Sequence, residues 1–531
     1  MTAKWGTLIA VCVGTFMLLL DITVVMVVLP EVQKALGATL SDLQWVVDAY
    51  ALTLAAVLLT AGSLADRFGR RRLYVTGVVL FSSASLLCGL AASPLFLIIA
   101  RGAQGIGGAI MFATALALLG NTYQGKDRGV AFGIWGALTG VAVGVGPIVG
   151  GALTQWLSWR WIFFVNIPIA VAAIIIAQRQ TPESRDPHAR RLDWPGLATF
   201  SAALATLILG LIRGNPDGWG STGVVGCLIA APVLLIAFLI TERRSREPMF
   251  DLSLFRKPAF SGGSIAAFAV SASILALILY LVIYLQNVLG YSALGAGVRL
   301  LTLSGSILVF GGISGRLSGR VPARALLAAG LGAVGLGLLL MRGLSATSGW
   351  TDLIPGLILS GAGVGLINPA LASTAVDVVP RNRAGMGSGI NSTFRQVGIA
   401  TGIAALGAVF QHQVSTSVVA GLQRIPDIPA ATVHKAAEAI VAGRGQQALQ
   451  AFPGHARQAA GHVARSAFTG ALNDIFLIAA LVAFAGAVLV AVLVRSRDFN
   501  LAEEPATERT SRSEELRFDK AGARPATRRL T

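Results

Sequence analysis

The chain has 531 residues, 54% of them hydrophobic and only 13% charged, with a formal net charge of +17 at pH 7. A soluble domain carries roughly 25% charged residues, so this composition excludes an ordinary water-soluble globule and points to a lipid bilayer as the solvent. The three cysteines, Cys12, Cys88 and Cys227, fall inside apolar runs and offer neither a disulfide framework nor a CxxC metal pair.

The first apolar run, Thr7 to Leu29, is too long for a signal-peptide core, contains Asp21 and is followed by no A-x-A site, so it reads as an uncleaved first span. A helix crossing the hydrocarbon needs about 20 mostly apolar residues. Fourteen runs qualify. Six lie at 6–29, 43–62, 73–92, 94–120, 129–153 and 159–177, two at 195–212 and 220–240, and six at 259–285, 293–315, 323–343, 352–372, 384–410 and 468–494. Residues 411–467 form a long outer loop rich in Ala, Gln and His between the last two runs, with room for short helices, and 497–531 are highly charged and read as a disordered tail.

Lys and Arg collect on the cytoplasmic side of membrane proteins. With the N-terminus inside, the inner segments hold 30 of the 42 basic residues and the short outer loops only four, Lys34, Arg160, Arg213 and Arg342. The positive balance is therefore a topology signal and not a nucleic-acid surface. It places both termini on the cytoplasmic side, and the excess of Arg over Lys hints at a bacterial source and so at a bacterial plasma membrane. No Gly-Lys-Ser or Gly-Lys-Thr occurs, which removes a Walker-type ATP engine within this chain.

Two inner loops repeat each other. Gly62-Ser-Leu-Ala-Asp66-Arg67-Phe-Gly69-Arg70-Arg71 follows the second run, and Gly315-Arg-Leu-Ser-Gly319-Arg320-Val-Pro-Ala-Arg324 follows the tenth. Internal repeats are how many transporters build a midplane site between two halves. The expected architecture is all-α: an N-terminal six-helix bundle (1–177), an inserted helix pair with its loops (178–258) packing at the periphery, a C-terminal six-helix bundle (259–496) and the tail.

Ionisable groups inside apolar spans are functional by default, because an unpaired charge there costs several kcal/mol. Asp21, Asp48 and Arg101 are three such groups. At 1.5 Å per residue they lie about 12, 7 and 10 Å from the outer ends of their spans, so they can share one level. A carboxylate beside an Arg favours its charged form and desolvation opposes it, so moving the Arg or the water would load or release a proton. The alternative is a static ion pair holding the bundle together. Arg395 falls near the midplane of the thirteenth run. It lines a substrate cavity or makes a helix contact, as do Arg299, Asn368 and Asp474.

Several segments in this order resemble the fourteen-span drug:proton antiporter branch of the major facilitator superfamily. They are the inner-loop segment Gly62–Arg71, Leu20-Asp21-Ile-Thr23 leading to Pro30, Trp45-Val-Val-Asp48-Ala-Tyr50, Arg101-Gly-Ala-Gln104-Gly105, and Gly140-Val-Ala-Val-Gly144-Val-Gly146-Pro147-Ile-Val-Gly150-Gly151. The resemblance covers nearly all of residues 1–410 and the last run. Met26 stands where this branch often has Asn, and Gly319 stands where the first loop has Asp66, which implies an asymmetric gate. The resemblance implies proton-coupled export of an apolar or amphipathic small molecule by alternating access, with no enzymatic activity. The proton gradient is the energy source, with no cofactor or metal, and the chain acts as a monomer. It implies that Asp21, Asp48, Arg101 and Arg395 serve proton coupling and substrate. Gly62, Asp66, Arg67, Gly69, Arg70 and Arg71 form a cytoplasmic gate. The glycine-rich segment Gly140, Gly144, Gly146, Pro147, Gly150 and Gly151 marks an exporter.

Overall fold

A computed structural model describes residues 3–123, 125–185, 193–245, 247–248, 250–317, 320–378, 384–425 and 454–495, with a few single positions between 432 and 452. The tail lies outside the described residues. The fourteen apolar runs are all helical. The helices are α1 (Ala3–Leu36), α2 (Leu40–Phe68), α3 (Arg70–Gly89), α4 (Pro94–Thr122), α5 (Gly125–Trp156), α6 (Trp161–Gln180, broken at Val165), α7 (Trp194–Asp217) and α8 (Thr222–Arg244). They continue as α9 (Pro258–Val288), α10 (Ala293–Leu317), α11 (Ala323–Leu340), α12 (Ile354–Asp377), α13 (Ala384–Leu422) and α14 (Gly454–Leu493). Twelve of them are long and apolar enough to cross a membrane. The other two, α2 and α5, are 29 and 32 residues long and carry the runs at 43–62 and 129–153.

Local chemistry sets the helix starts. Thr39 and Asp42 form a capping box that opens α2, with Asp42 N–H donating to Thr39 Oγ1 at 3.1 Å and Thr39 N–H to Asp42 Oδ2 at 2.8 Å. Ser93 caps α4, with Pro94 in its first turn. Trp5, Trp156, Trp161, Trp194 and Trp219 are exposed near helix ends, the placement of an interfacial aromatic belt.

Two six-helix groups, α1–α6 and α9–α14, face each other. They meet where α2 packs on α13 and where α5 packs on α10. Under the internal repeat α2 corresponds to α10 and α5 to α13, so the two seams exchange into one another, as a two-fold relation between the halves requires. Hydrogen bonds across the seams gather at one end of the molecule. Gln44 Nε2 donates to Tyr280 Oη (3.0 Å) and to the Ile403 carbonyl (3.3 Å), Gln286 Nε2 donates to the Val27 carbonyl (2.7 Å), and Ser292 Oγ donates to Gln155 Oε1 (3.0 Å). This end is the far face, away from the start of α1, and it is closed.

Two features differ from the expected layout. The inserted pair is not wholly peripheral. α8 does carry exposed Ile229, Val233 and Ile236. α7, however, lies over the α2–α13 seam, where Leu204, Ile208 and Ile212 pack on Ala51 and Ala55 of α2 and on Ala400 and Ala404 of α13. The alanines leave a shallow groove that a third helix fills. The second difference is at the ends of the long loop. α13 runs on to Leu422 and α14 begins at Gly454, so 411–422 and 454–467 are helical continuations of the spans. They support one another: Gly421 abuts Val463, and the Phe410 and Phe468 rings meet edge to face at 4.9 Å.

Candidate functional site

α4 presents Arg101 and Gln104 one turn apart on one face. Its glycines let it lie close to its neighbours: a Cβ at Gly105 would strike Thr53 and the Tyr50 carbonyl of α2, and one at Gly107 would lie 2.5 Å from the Phe81 nitrogen of α3. That proximity carries the Arg101 side chain between helices. Its Nη1 meets Asp21 Oδ2 at 2.6 Å and Gln104 Oε1 at 2.7 Å, its Nε donates to the Val46 carbonyl at 3.3 Å, and its guanidinium lies 4.2 Å over the Tyr50 ring. Asp21 Oδ1 accepts from Gln104 Nε2 (2.9 Å) and Asn166 Nδ2 (3.0 Å). Asn166 also donates to Ser85 Oγ at 3.0 Å, which in turn donates to the Phe163 carbonyl at 2.9 Å. Arg101 and Asp21 are each only 2% exposed. A buried ion pair offsets its desolvation only when further hydrogen bonds satisfy it, and here the amides of Gln104 and Asn166 supply them. The network ties α1, α2, α3, α4 and α6 together inside the first half.

The structure brings Asp21 and Arg101 together and leaves Asp48 apart. Asp48 shares their level but sits on the face of α2 that meets the second half. It is fully buried, and neither carboxylate oxygen accepts a hydrogen bond. Arg395 is half-buried on α13. The Arg299 guanidinium lies 3.5 Å over Tyr291 and 5.1 Å from Trp350, and its Nη1 donates to the Gly295 carbonyl. Sequence reasoning quoted Gln104 and Tyr50 without giving them a role and missed Asn166 and Ser85. A lone Asn in the apolar run 159–177 was the available signal.

The turn between α2 and α3 holds the segment Gly62–Arg71, for which the resemblance implies a gate. Gly69 has φ of 106°, a conformation that favours glycine, and a Cβ there would lie 2.7 Å from Glu183 Oε1. Glu183 caps α3 from a distant part of the chain. Its carboxylate accepts from the backbone N–H of Arg71 (3.0 Å) and Arg72 (3.2 Å), and Arg71 Nε lies 3.6 Å from Oε2. Arg70 N–H donates to the Ser184 carbonyl, and Arg71 Nη1 to the Thr181 carbonyl. Glu183 was not foreseen. Arg67 is exposed with its guanidinium over Phe68, and Gly62 has open space beside it. The Asp66 side chain and Gly319 lie outside the described residues. Removing a capping side chain costs about 1 kcal/mol. Glu183→Ala is expected to slow transport several-fold at normal abundance, and Arg71→Ala on top of it to add little, because both release the same turn. Asp66→Asn is expected to impair transport with the protein still in the membrane. Transport rates against membrane abundance check both, and unchanged rates would reduce the segment to a topological anchor.

The glycine-rich part of α5 packs on two sides. Gly146 abuts Thr23 and Gly150 abuts Val24, both on α1, and Gly151 faces Leu294 of α10, where a Cβ would lie 2.6 Å from the Leu294 Cα. From the other side Gly297 of α10 abuts the Pro147 carbonyl. Gly140 and Gly144 lie in α5, with their surroundings outside the described residues. Among the described residues no group of three or more His, Cys, Asp or Glu is placed to hold a metal ion.

Two facing six-helix groups with a buried charge network inside one of them define a polytopic membrane transporter. The family description Major Facilitator Superfamily matches residues 11–403, and this chain belongs to that family. It is 37% identical over 423 residues to the multidrug resistance protein Stp of Mycobacterium tuberculosis, covering 79% of each chain. It is 32% identical to the tetracenomycin C resistance and export protein of Streptomyces glaucescens, covering 93% of this chain and 92% of that one. Among solved structures it is similar in fold to a bacterial homologue of the human lysosomal transporter Spinster, with a TM-score of 0.59, 18% identity, and 95% and 99% of the two chains covered.

Proposed function

We propose that this protein is a proton-coupled exporter of apolar or amphipathic small molecules, of the kind that confers antibiotic resistance, and that it works by alternating access. The observation that carries the reading is the direct backbone approach of α5 to α10 at Gly151 and Gly297. It makes the glycine-rich segment the seal between the halves. The names of the similar proteins, a multidrug resistance protein and a resistance and export protein, support the direction of transport. In this reading fourteen helices span a bacterial plasma membrane, the termini are cytoplasmic, and the far face is the outer one. Lipid, protons and the substrate are the partners, and the monomer is the working unit. Asp21 and Arg101, with Asp48, couple proton entry at the outer side to substrate release, and Arg395 contributes to the cavity.

A pump-deficient bacterial host expressing the chain should tolerate higher concentrations of amphipathic antibiotics, and Arg101→Ala should remove that tolerance. Unchanged susceptibility across a broad panel would count against export. Reporter fusions after residues 185 and 250 should report cytoplasm and one within 430–450 the exterior. An exterior signal at 185 would overturn the orientation.

A further inference from the structure

The inserted helix pair holds two buried acids that the transport reading does not use. Asp193 caps the start of α7, with Oδ1 accepting from the Gly196 N–H at 2.8 Å. Glu242 lies in the last turn of α8, with Oε2 accepting from the Phe250 N–H at 3.1 Å. They are 8% and 3% exposed, and the second oxygen of each, Asp193 Oδ2 and Glu242 Oε1, is buried with no hydrogen-bond partner. Both carboxyls converge on Gly196. A Cβ there would lie 2.6 Å from Glu242 Oε1 and 3.0 Å from Asp193 Cγ, so glycine leaves the space in which they meet.

Among the described residues no cation reaches the two free oxygens. Arg243 and Arg244 of α8 and Arg256 beyond it are exposed, and Lys257 Nζ donates to the Val378 carbonyl at 2.6 Å. Asp251, within electrostatic reach of Glu242, is a further acid, with Oδ1 accepting from the Ser253 N–H. The groups that α7 and α13 turn toward this corner are the rings of Phe200 and Phe394. Two carboxylates in one buried site repel each other and lack solvation. One proton between them removes a charge and lets one free oxygen donate to the other, which satisfies both. A cleft of about 620 Å³, lined by Glu242, Ser245, Asp251 and Ser253, brings the solution at this face to Glu242.

Phe250, whose N–H Glu242 holds, begins a strap of residues 250–257 that joins the inserted pair to the second half. Its ring packs on Phe238 of α8 at 5.7 Å and on Phe394 of α13 at 6.3 Å, and Phe255 meets Phe394 at 5.9 Å. We propose that Asp193 and Glu242 share one proton and form a pH-sensitive latch: with the proton in place the strap stays docked on α13, and its loss releases the strap. Docking holds the carboxyls together, whereas release lets water solvate both, so the docked form binds the proton more tightly. Docking is therefore complete at low pH and lost as pH rises. The proposal goes beyond the transport reading and stands without it. Where this face is cytoplasmic, the latch makes the inner end of α13 answer to cytoplasmic pH.

The test reads the strap and not transport, so its failure is distinct from a failure of export. Spin labels are placed on cysteines at Ser253 of the strap and Arg324 at the start of α11, both exposed, in the full chain with its own three cysteines replaced by alanine. Distance distributions are recorded against pH in lipid vesicles made leaky to protons. One proton bound only in the docked form changes the docked-to-released ratio about tenfold per pH unit. A single narrow distance at acid pH should give way to a broad distribution at that slope as pH rises. Glu242→Gln should stay docked at every pH, because its amide donates to Asp193 and its carbonyl still accepts from Phe250. That narrow distance also shows that the variant is folded. Glu242→Ala should be released at every pH, and Asp48→Asn should leave the response in place. A wild-type strap that ignores pH, a response that survives Glu242→Gln, or docking that follows added sodium or magnesium at fixed pH would overturn the proposal.

Discussion

Arg101→Ala is expected to abolish efflux and to lower the amount of folded protein in the membrane. Among the described residues the guanidinium is the one cation against Asp21 in this buried site, and its removal leaves the carboxylate with the amides of Gln104 and Asn166 beside it. Removing one member of a buried pair costs about 3–5 kcal/mol, a large share of a total stability of roughly 5–15 kcal/mol. Asp21→Asn is milder for folding. It retains the side chain's shape, and Arg101 keeps the Val46 carbonyl, Gln104 and the Tyr50 ring. Efflux driven by the proton gradient should still fail, because the neutral amide cannot release a proton, while substrate binding persists. The double variant decides the role of the pair. With both charges gone the folding penalty falls, so a mere strut would regain activity. If the pair couples protons, the double variant is abundant and inactive. Efflux by it at near wild-type rate with an unchanged pH dependence would remove Asp21 from the mechanism.

Gly151→Val should eliminate efflux with little loss of protein. A Cβ at this position lies 2.6 Å from the Leu294 Cα, and carbon atoms rest at about 3.5–4.0 Å, so α5 and α10 must separate by roughly 1 Å. The obstacle is backbone and has no rotamer to move into. The core of each half is untouched, so abundance should hold. Gly297→Ala attacks the same crossing from α10, through the Pro147 carbonyl, and should have the same effect. Gly223→Ala and Gly226→Ala on α8, where an added methyl meets open space, are the controls and should change nothing. Efflux in all four variants, normalised to membrane abundance, checks the set. Normal efflux by Gly151→Val would mean that the close approach is packing without a role in transport.

The helices were legible because an apolar run of the right length is the strongest signal a sequence carries, and Asp21 and Arg101 stood out as charges inside such runs. Depth along the span was also readable, and it placed Asp48 level with them. What depth does not carry is rotation about the helix axis. A span apolar on every side has a faint 3.6-residue pattern, so nothing in the run showed that Asp48 turns toward the second half and Arg101 toward Asp21. Partners far apart in the chain were hidden for a related reason. Asn166 and Glu183 reach Asp21 and Arg71 across 145 and 112 residues, and neither segment by itself names the partner. Short helices in the 411–467 loop were expected, but their continuity with α13 and α14 escaped because Gln, His and Ser end the apolar run although Ala and Gln favour helix. The place of α7 over the α2–α13 seam needed the alanine faces of three helices at once, and no single segment holds that pattern.

The central claim is that substrate and protons move in opposite directions through this chain. Inverted membrane vesicles, energised so that the lumen is acid, expose the cytoplasmic face to the medium. Adding an antibiotic to which the expressing host has become tolerant should drive that compound into the lumen and release protons from it. The release should saturate with substrate and be absent from Arg101→Ala vesicles of matched protein content. Accumulation of the compound that continues after the proton gradient is collapsed, or that proceeds without proton release, would contradict the account.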